Sequence, residues 1–273
     1  MSASNGSKAS QALDGTVPPV ETRTVTFPEG QTARIIEAPP WGNEPNLVTA
    51  LGLTPGRPVL LLVGGADGFD RDTPLQSEQR NRLLQLFGRG LLRAADAAGA
   101  TVVDGGTNAG VMAVLGTAAR SQPRPVVLVG VAPAGKVLRP DETSPGADSR
   151  TPLEPNHTHF VLVPGSQWGE EAPWLAHLAT VVAGDEGSAT VCVNGGEIAL
   201  ADVRHSVEAR RPVVVLDGSG RTADALAAAV RGEDSDPVVA ELAASGWVHA
   251  VGAHDRNALA WLLDDLLAGR AVQ

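Results

Sequence analysis

The sequence predicts an α/β fold: a Rossmann-like, open and mostly parallel sheet with helices on both faces. Strand-like runs of Val, Ile and Leu alternate along the chain with segments of helical periodicity. The runs are apolar throughout, as strands buried on both faces require. Several lead directly into a glycine turn, where a ligand can approach the backbone closely. We therefore expect a ligand crevice at the carboxyl ends of the strands.

Length and composition favour one domain with a substantial core. The chain has 273 residues, 43% of them hydrophobic, and we predict a disordered leader over 1–21 and a single domain over 22–273. The one cysteine, Cys192, lies in an apolar run and is predicted to be a small core residue. No metal and no required cofactor are expected. No run approaches the roughly 18 apolar residues of a membrane span, and no secretory signal is evident, so we expect a cytoplasmic protein.

The charge balance argues against extended nucleic acid as a partner. Lys and Arg total 21 against 31 Asp and Glu, a formal net charge of −10, which opposes attraction to a phosphate backbone. A small anionic ligand remains compatible, because glycine turns and a few arginines can hold a pyrophosphate inside an acidic protein.

The elements of the first half follow from local pattern. Alternation over 22–27 and 32–37 predicts a hairpin at a sheet edge. The apolar run at 58–63 predicts a buried strand that ends at Gly64 and Gly65 and leads into a polar loop through Asp72. We assign no role to Asp70, Arg71 and Asp72 in that loop. The pattern then predicts a helix, a strand, a helix and a strand at 75–98, 101–103, 109–120 and 126–131.

The second half repeats the alternation. The stretch 133–155, rich in proline, glycine and acids, is predicted to be a loop or lid. Strands are predicted at 159–163, 189–193 and 213–216, each followed by a helix, at 170–182, 198–209 and 221–231. The tail adds a short helix, a strand near 247–251 and an amphipathic helix at 257–267 that we expect to dock on the sheet.

The turn after the strand at 101–103 is the leading candidate for an anion site. It supplies consecutive backbone N–H groups and a hydroxyl at a helix start, whose dipole attracts anions; its residues are Gly105, Gly106, Thr107, Asn108, Ala109 and Gly110. We interpret it as a phosphate cradle, against the alternative of a strand-to-helix turn that merely needs glycine. It is not a P-loop, since no Gly-Lys-Ser/Thr follows.

Two further turns can converge on the same ligand. One comprises Asn194, Gly195, Gly196 and Glu197, and the other comprises Asp217, Gly218, Ser219, Gly220 and Arg221. Ser219 is expected to cap the next helix. Arg221 begins that helix, a poor place for a cation unless it pairs with an anion. We predict a phosphate contact for Arg221, with a solvated or carboxylate-paired arginine as the alternative.

Three other positions have competing interpretations. His157 and His159 share a face if a strand has already begun, but no third ligand follows at a matching spacing. Polar ligand contact or a hydrogen-bonded strand entry is therefore favoured over metal binding. Glu170 and Glu171 begin a helix, where acids complement the dipole. Trp168 could stack on a base or cover the core.

In order along the chain, these motifs resemble the SLOG superfamily, named for Smf/DprA and the Lonely Guy proteins, over about 58–231. The similarity is greatest to the N-terminal cytosolic domain of melastatin-type transient receptor potential (TRPM) channels and to their stand-alone prokaryotic relatives, the LSDAT group. The matched elements are Gly64-Gly65, 87–91, 105–112, 156–160, Gly195-Gly196-Glu197 and 217–224.

This resemblance implies a pocket for nucleotide-derived ligands, with ADP-ribose and related NAD metabolites as the class, and a ligand-sensing role. With no predicted membrane span, we do not expect the chain to act as a channel. Carried over by position, the residues lining the site would be Gly105, Gly106, Thr107, Asn108, Gly110, Gly195, Gly196, Gly218, Ser219, Gly220 and Arg221. Our candidate ligand-binding set adds Gly64, Gly65, His157 and Glu197.

Two departures limit the resemblance. In the hydrolase branch the second turn resembles P-G-G-x-G-T-x-x-E, where the Glu and an upstream Arg support N-glycosidic cleavage. Here the Gly-Thr step is missing, and only Asp202 could replace the acid. A later loop of the family usually carries Gly-x-Tyr-Gly, but this chain has Gln167-Trp168-Gly169-Glu170, so base contacts are expected to differ.

Three functions therefore stay open. The leading hypothesis is a soluble sensor or binding domain for an ADP-ribose-type nucleotide. The alternative is a hydrolase that cleaves an N-glycosidic or pyrophosphate bond of such a ligand, with Glu197 or Asp202 as acid or base. A DprA-like binder of single-stranded DNA is disfavoured by the net charge. Related folds often pair through helices, so a homodimer is expected.

Overall fold

A computed structural model describes residues 20–41, 47–66, 74–142 and 149–270 of the chain. The strands are β1 (Thr22–Thr26), β2 (Thr32–Glu37), β3 (Val59–Gly64), β4 (Thr101–Asp104), β5 (Leu128–Pro133), β6 (Val137–Leu138), β7 (Thr151–Pro152), β8 (His159–Val163), β9 (Ser188–Val193), β10 (Val213–Asp217) and β11 (Val248–Gly252). The helices are α1 (Leu47–Leu51), α2 (Pro74–Leu86), α3 (Leu92–Ala98), α4 (Gly110–Arg120), α5 (Ala172–Ala183), α6 (Glu197–Glu208), α7 (Arg221–Val230), α8 (Pro237–Ala244) and α9 (Arg256–Leu267). A π-helical turn, Phe87–Leu91, joins α2 to α3.

Within these ranges, nine strands form one sheet in the order β1-β2-β8-β5-β4-β3-β9-β10-β11. β1 and β2 pair antiparallel as a hairpin at one edge. The other neighbouring strands of this sheet pair in parallel. The predicted Rossmann-like, mostly parallel sheet and its edge hairpin are confirmed.

The chain reverses its direction across the sheet at β3. β4 and β5 lie successively on one side of β3, whereas β9, β10 and β11 lie on the other. The connections that leave β3 and β9 therefore diverge and open a crevice at the carboxyl ends of these two strands. In open α/β sheets this switch point is where ligands bind.

Helices cover both faces of the sheet. α1, α5, α6, α7 and α8 pack on one face, and α2, α3, α4 and α9 pack on the other. The sequence of β3 is apolar throughout because both faces of this strand are buried. Leu60 and Leu62 face the second helix layer, while Leu61 and Val63 face the first. Each such buried side chain stabilises the fold by roughly 1.5–3 kcal/mol.

The predicted helix over 75–98 is interrupted by the π-helical turn Phe87–Leu91. Gly90 within this turn lies against α9, where a Cβ would meet the Arg256 carbonyl oxygen and the Leu259 side chain at 3.3 Å. Glycine is a weak helix former and permits this close approach. The tail helix therefore docks as predicted. The sequence pattern did not predict α1.

The predicted lid is in part a packed segment. β6 and β7 pair in parallel within 133–155, and Val137, Leu153 and Glu154 are buried. Hydrogen bonds tie this segment to the first glycine turn, since the N–H of Asn108 donates to Pro152 O at 2.8 Å. Residues 143–148, most of the predicted leader, and Asp70, Arg71 and Asp72 lie outside the described residues.

Candidate ligand-binding site at the carboxyl edge of the sheet

A cavity of about 700 Å³ opens at the switch point. Its volume lies within the range of about 300–1,000 Å³ that is typical of small-molecule sites. The wall contains residues from the end of β3 and from all three predicted turns: Gly64, Gly65, Gly105, Thr107, Gly196, Glu197 and Arg221. The other predicted ligand-binding residues lie outside this lining: Gly106, Asn108, Gly110, His157, Gly195, Gly218, Ser219 and Gly220.

Two helices begin at this cavity without a side-chain cap. Their N-cap residues are Ala109 for α4 and Gly196 for α6, and neither side chain caps its helix. At the start of α4, one N–H, that of Val111, donates to the Gly65 carbonyl at 3.1 Å. Uncapped helix starts expose N–H groups and carry partial positive charge. Anion binding by the two turns stays a prediction, and in the first turn the N–H groups of Gly106 and Asn108 already donate to Asp104 Oδ1 and Pro152 O.

Backbone packing accounts for two glycines of the first turn. Gly110 has φ +51°, and a Cβ there would overlap the Gly65 carbonyl oxygen. Gly106 has φ +64°, and a Cβ would lie 2.6 Å from the Cα of Gly130. The alternative interpretation, a turn that needs glycine for its shape, therefore applies to these two residues. Gly105 lines the cavity, and a Cβ there would meet only Met112 atoms at 3.8 Å or more.

The third turn satisfies its own donors. The Asp224 carboxylate accepts the N–H groups of Gly218 and Gly220 at 2.8 and 2.9 Å. The predicted capping role of Ser219 is wrong, because Gly220 is the N-cap of α7 and Ser219 Oγ donates to Leu216 O at 2.6 Å. Ser219 Oγ also accepts the Asn194 N–H at 2.8 Å. Ser219 thus links the second and third turns.

Arg221 is the member of the third turn that reaches the cavity. Its φ of +49° is unusual for a residue with a side chain, and such strain persists only where the surroundings impose it. Here Thr222 Oγ1 donates to Gly196 O at 3.1 Å and the Ala223 N–H donates to Asn194 O at 3.0 Å. A Cβ on Gly196 would lie 3.0 Å from an Arg221 Nη. The guanidinium therefore lies beside the uncapped start of α6.

Glu171 and Asp202 place two carboxyl groups on the cavity wall. Asp202 is 7% exposed, and its Oδ1 has no hydrogen-bond partner within the described part of the chain. Burial, and then the charge of Glu171, raise the pKa of Asp202 to about 8. Burial likewise raises the pKa of Glu171, whose Oε2 accepts the Gly169 N–H at 2.7 Å. The raised pKa favours the protonated form of Asp202 at neutral pH, and the O–H of that form is a hydrogen-bond donor.

Sequence reasoning nominated Asp202 but missed Glu171 as a cavity residue. Glu171 was assigned to the helix dipole, and nothing in the sequence places it near a residue 31 positions later. Trp168 also lines the cavity, is 39% exposed, and has the Lys136 ammonium 5.9 Å from its ring centroid. It lies at the mouth rather than over the core.

His157 lies in the core rather than in the cavity lining. Its Nε2 is 2.8 Å from Asp104 Oδ1, and its Nδ1 is 2.9 Å from Glu154 Oε2. His157 precedes β8, so it does not share a strand face with His159, whose Nδ1 contacts Thr158 Oγ1 at 2.8 Å. Asp104 and Glu154 were not predicted, because residues so far apart in sequence give no local signal.

A family model described as SLOG in TRPM, prokaryote, matches residues 57–260. A transient receptor potential channel of Caenorhabditis elegans is 31% identical over 205 residues, which are 64% of this chain and 10% of that protein. Transient receptor potential cation channel subfamily M member 2 of Mus musculus is 29% identical over 203 residues, 62% of this chain and 13% of that protein. The chain therefore spans a small fraction of these relatives.

Among solved structures, the X-ray structure of TM1055, a structural-genomics target, aligns with a TM-score of 0.41 and 19% identity. The alignment covers 61% of this chain and 78% of that chain. In the part of the chain that the structure describes, no helix has the length and hydrophobicity to cross a membrane.

Proposed function

The chain belongs to the prokaryotic SLOG-in-TRPM family, and we propose that it is a ligand-sensing domain that binds an ADP-ribose-type nucleotide at the switch point of its sheet. The ligand's pyrophosphate would occupy the cavity between the first and second glycine turns. The chain would need no further cofactor for this role.

One observation carries the proposal: two uncapped helix starts and an arginine meet at one cavity. The starts of α4 and α6 each supply N–H groups and partial positive charge. Arg221 adds a full positive charge beside α6, and it takes part in none of the ion pairs found among the described residues. Two adjacent anion positions suit a diphosphate better than a single phosphate.

The remaining wall suits the organic part of a nucleotide. Trp168 at the mouth offers an aromatic face for a base. Leu62, Met112 and Leu175 add apolar surface, and Glu171 and Asp202 supply carboxyl oxygens for hydroxyl or amino groups. A cavity of about 700 Å³ has room for a ligand larger than a mononucleotide phosphate.

The first test is ligand binding by thermal shift and calorimetry. The probes are ADP-ribose, NAD, cyclic ADP-ribose isomers, AMP, ribose 5-phosphate and a cytidine control. At about 100 times its dissociation constant a ligand stabilises the fold by roughly 2.7 kcal/mol, a shift of several degrees in Tm. We expect this shift with the adenine diphosphate ligands and not with ribose 5-phosphate or cytidine.

The decisive variant is Arg221→Gly, which removes the guanidinium and also relieves the positive φ. Its matched control is Arg210→Gly, because Arg210 is a second exposed arginine with positive φ, 54°, and lies outside the cavity lining. We expect ADP-ribose to bind about ten- to a hundred-fold more weakly to Arg221→Gly, the loss of one charge-assisted contact, and unchanged to Arg210→Gly. Equal affinity of both variants would contradict the placement of the pyrophosphate.

A hydrolase is a second candidate because of the carboxyl pair. A buried acid whose pKa is raised to about 8 can act as a general acid at neutral pH, and Glu197 lines the same cavity. The test is prolonged incubation of concentrated protein with ADP-ribose and AMP, followed by chromatography for free base, ribose phosphate or AMP. Product that disappears in Asp202→Asn would support catalysis; none from the wild type would exclude it for these substrates.

A further inference from the structure

A buried cluster of Asp104, Glu154 and His157 lies directly behind the first glycine turn. The His157 side chain has no exposed surface and stacks on Phe160, with ring centroids 5.5 Å apart. Each of its ring nitrogens faces a carboxylate. The cluster thereby joins the end of β4 to the segment after β7 and to the entry of β8.

The contacts require both ring nitrogens to donate. An ionised carboxylate only accepts hydrogen bonds, so a neutral imidazole with one N–H would leave a lone pair facing one of them. Burial alone lowers the pKa of His157, but the charges and hydrogen bonds of Asp104 and Glu154 outweigh it and raise the pKa to about 10. The imidazolium is therefore the form present at neutral pH.

The two partners of His157 also hold Gly106. Asp104 Oδ1 accepts the Gly106 N–H at 2.6 Å, and the Glu154 N–H donates to Gly106 O at 2.9 Å. Because each peptide unit is planar, these bonds fix the orientation of the Gly105 carbonyl and of the Thr107 N–H. Gly105 and Thr107 line the cavity. The residues bridged by His157 thus set the geometry of this wall.

Glu154 is further fixed from two sides. Its carboxylate occupies the space that a Cβ on Gly116 of α4 would need. It also accepts the backbone and side-chain N–H groups of Asn156 at 2.8 and 2.7 Å. Loss of the imidazolium would leave the Asp104 and Glu154 carboxylates without the cation between them, and their repulsion would be relieved by movement of the turn.

We propose that His157 is a positioning residue for the anion site: it holds Asp104 and Glu154 so that the turn keeps its shape and the Thr107 N–H is available to a bound anion, and it does not touch the ligand. The inference rests on the proposed function for its ligand readout. The geometry of the turn can be measured without any ligand.

The ligand-free test is amide hydrogen exchange in the full chain. We compare His157→Gln with His205→Gln, since His205 is a partly exposed histidine that pairs with Glu208 on α6. Protection of the Gly106 amide is expected to fall at least about tenfold in His157→Gln and to stay unchanged in His205→Gln. Unchanged protection in His157→Gln would overturn the inference.

Two further measurements test the same positioning role of His157. Nitrogen-15 spectra of wild type at pH 8 should show protons on both ring nitrogens of His157, and a neutral ring there would overturn the inference.

If His157→Gln does not fold, Asp104→Asn replaces that variant, because the asparagine keeps an oxygen that accepts the Gly106 N–H while the charge is removed. This variant should lose part of the Gly106 protection, and full protection would count against the inference.

The ligand readout uses ADP-ribose at a temperature where each variant is fully folded. We expect about tenfold weaker binding to His157→Gln than to wild type, consistent with displaced donors, and no change in His205→Gln. Wild-type affinity in His157→Gln would overturn the positioning role. If wild type itself binds no nucleotide, the proposed function fails, while hydrogen exchange still decides whether His157 fixes the turn.

Discussion

Two groups of buried ionisable side chains lie at the same cavity, one behind its wall and one in its lining. In the Asp104–His157–Glu154 cluster both ring nitrogens have a carboxylate partner at 2.8 to 2.9 Å. In the Glu171–Asp202 pair two carboxyl groups line the cavity, and neither forms an ion pair among the described residues. Asp202 Oδ1 lacks a hydrogen-bond partner there, as does Asp104 Oδ2 in the cluster. Each group contains one residue whose pKa is strongly raised: His157, to about 10, and Asp202, to about 8.

The comparison teaches that a perturbed pKa does not by itself identify a functional group. The histidine cluster uses its hydrogen bonds internally and lies behind the wall, so its perturbation reflects structure. Glu171 and Asp202 line the cavity itself, so their raised pKa values bear on a ligand bound there. What separates the two groups is whether their side chains line the cavity.

The largest expected effect is the loss of the buried cation. His157→Phe should destabilise the protein by about 3–5 kcal/mol, because two buried carboxylates would be left without their partner. Urea unfolding at pH 7 measures the difference, with His205→Gln as the control. A loss below about 1 kcal/mol would show that the cluster is not a charged network.

Gly116 tests the same cluster from α4. In Gly116→Ala the new methyl group would overlap the Glu154 carboxylate, so we expect a loss of about 1–3 kcal/mol, as for overpacking of a core. The matched control is Gly88→Ala, where the nearest atom to the new Cβ would be Gln122 Nε2 at 3.4 Å. Calorimetric Tm values should fall for Gly116→Ala and change little for Gly88→Ala; equal values would contradict the packing of Glu154.

The pH dependence of stability should separate the two groups. The folded-state pKa of Asp202 is raised from 3.8 to about 8, so its contribution to stability is present at low pH and is lost as pH rises through that window. The pKa of His157 is raised from 6.5 to about 10, so its contribution is present below about pH 6.5 and is lost as pH rises toward 10.

Asp202→Asn should therefore flatten the fall in the free energy of unfolding between about pH 4 and 6.5, lessen it between about pH 6.5 and 8, where His157 also contributes, and leave the fall between about pH 8 and 10. Urea unfolding at intervals across this range measures it. Asp234→Asn serves as the control, because Asp234 is exposed in the loop after α7. If the free energy of unfolding of Asp202→Asn followed the wild-type curve at every pH, the raised pKa of Asp202 would be refuted.

The smallest effect is expected from Glu171→Gln. Removing the charge of Glu171 takes away the second cause of the Asp202 shift and leaves burial, the larger one. The pKa of Asp202 should fall but stay above its ordinary value. Carbon-13 titration of the Asp202 carboxyl measures it, and an unchanged pKa would show that the two groups do not interact.

The sequence predicted the fold better than the details of the site. Buried parallel strands must be apolar on both faces, so β3, β8 and β9 were placed within a residue or two. The π-helical turn at Phe87–Leu91 was missed because Gly90 approaches α9, an element more than 160 residues later. α1 was missed because five residues are too few to show a helical period.

By itself, the sequence determined which residues form strands and that glycine turns follow β4, β9 and β10, because apolar runs and glycines act locally. Only the tertiary structure decided which donors stay free for a ligand. In the third turn, hydrogen bonds to Asp224 and from Ser219 already use most of the polar groups. The third turn therefore contributes only Arg221 to the lining of the cavity, among the described residues. Burial and contacts between distant residues also set the ionisation of His157 and Asp202. Those electrostatic energies depend on the distance and the dielectric between groups, which exist only once the chain has folded.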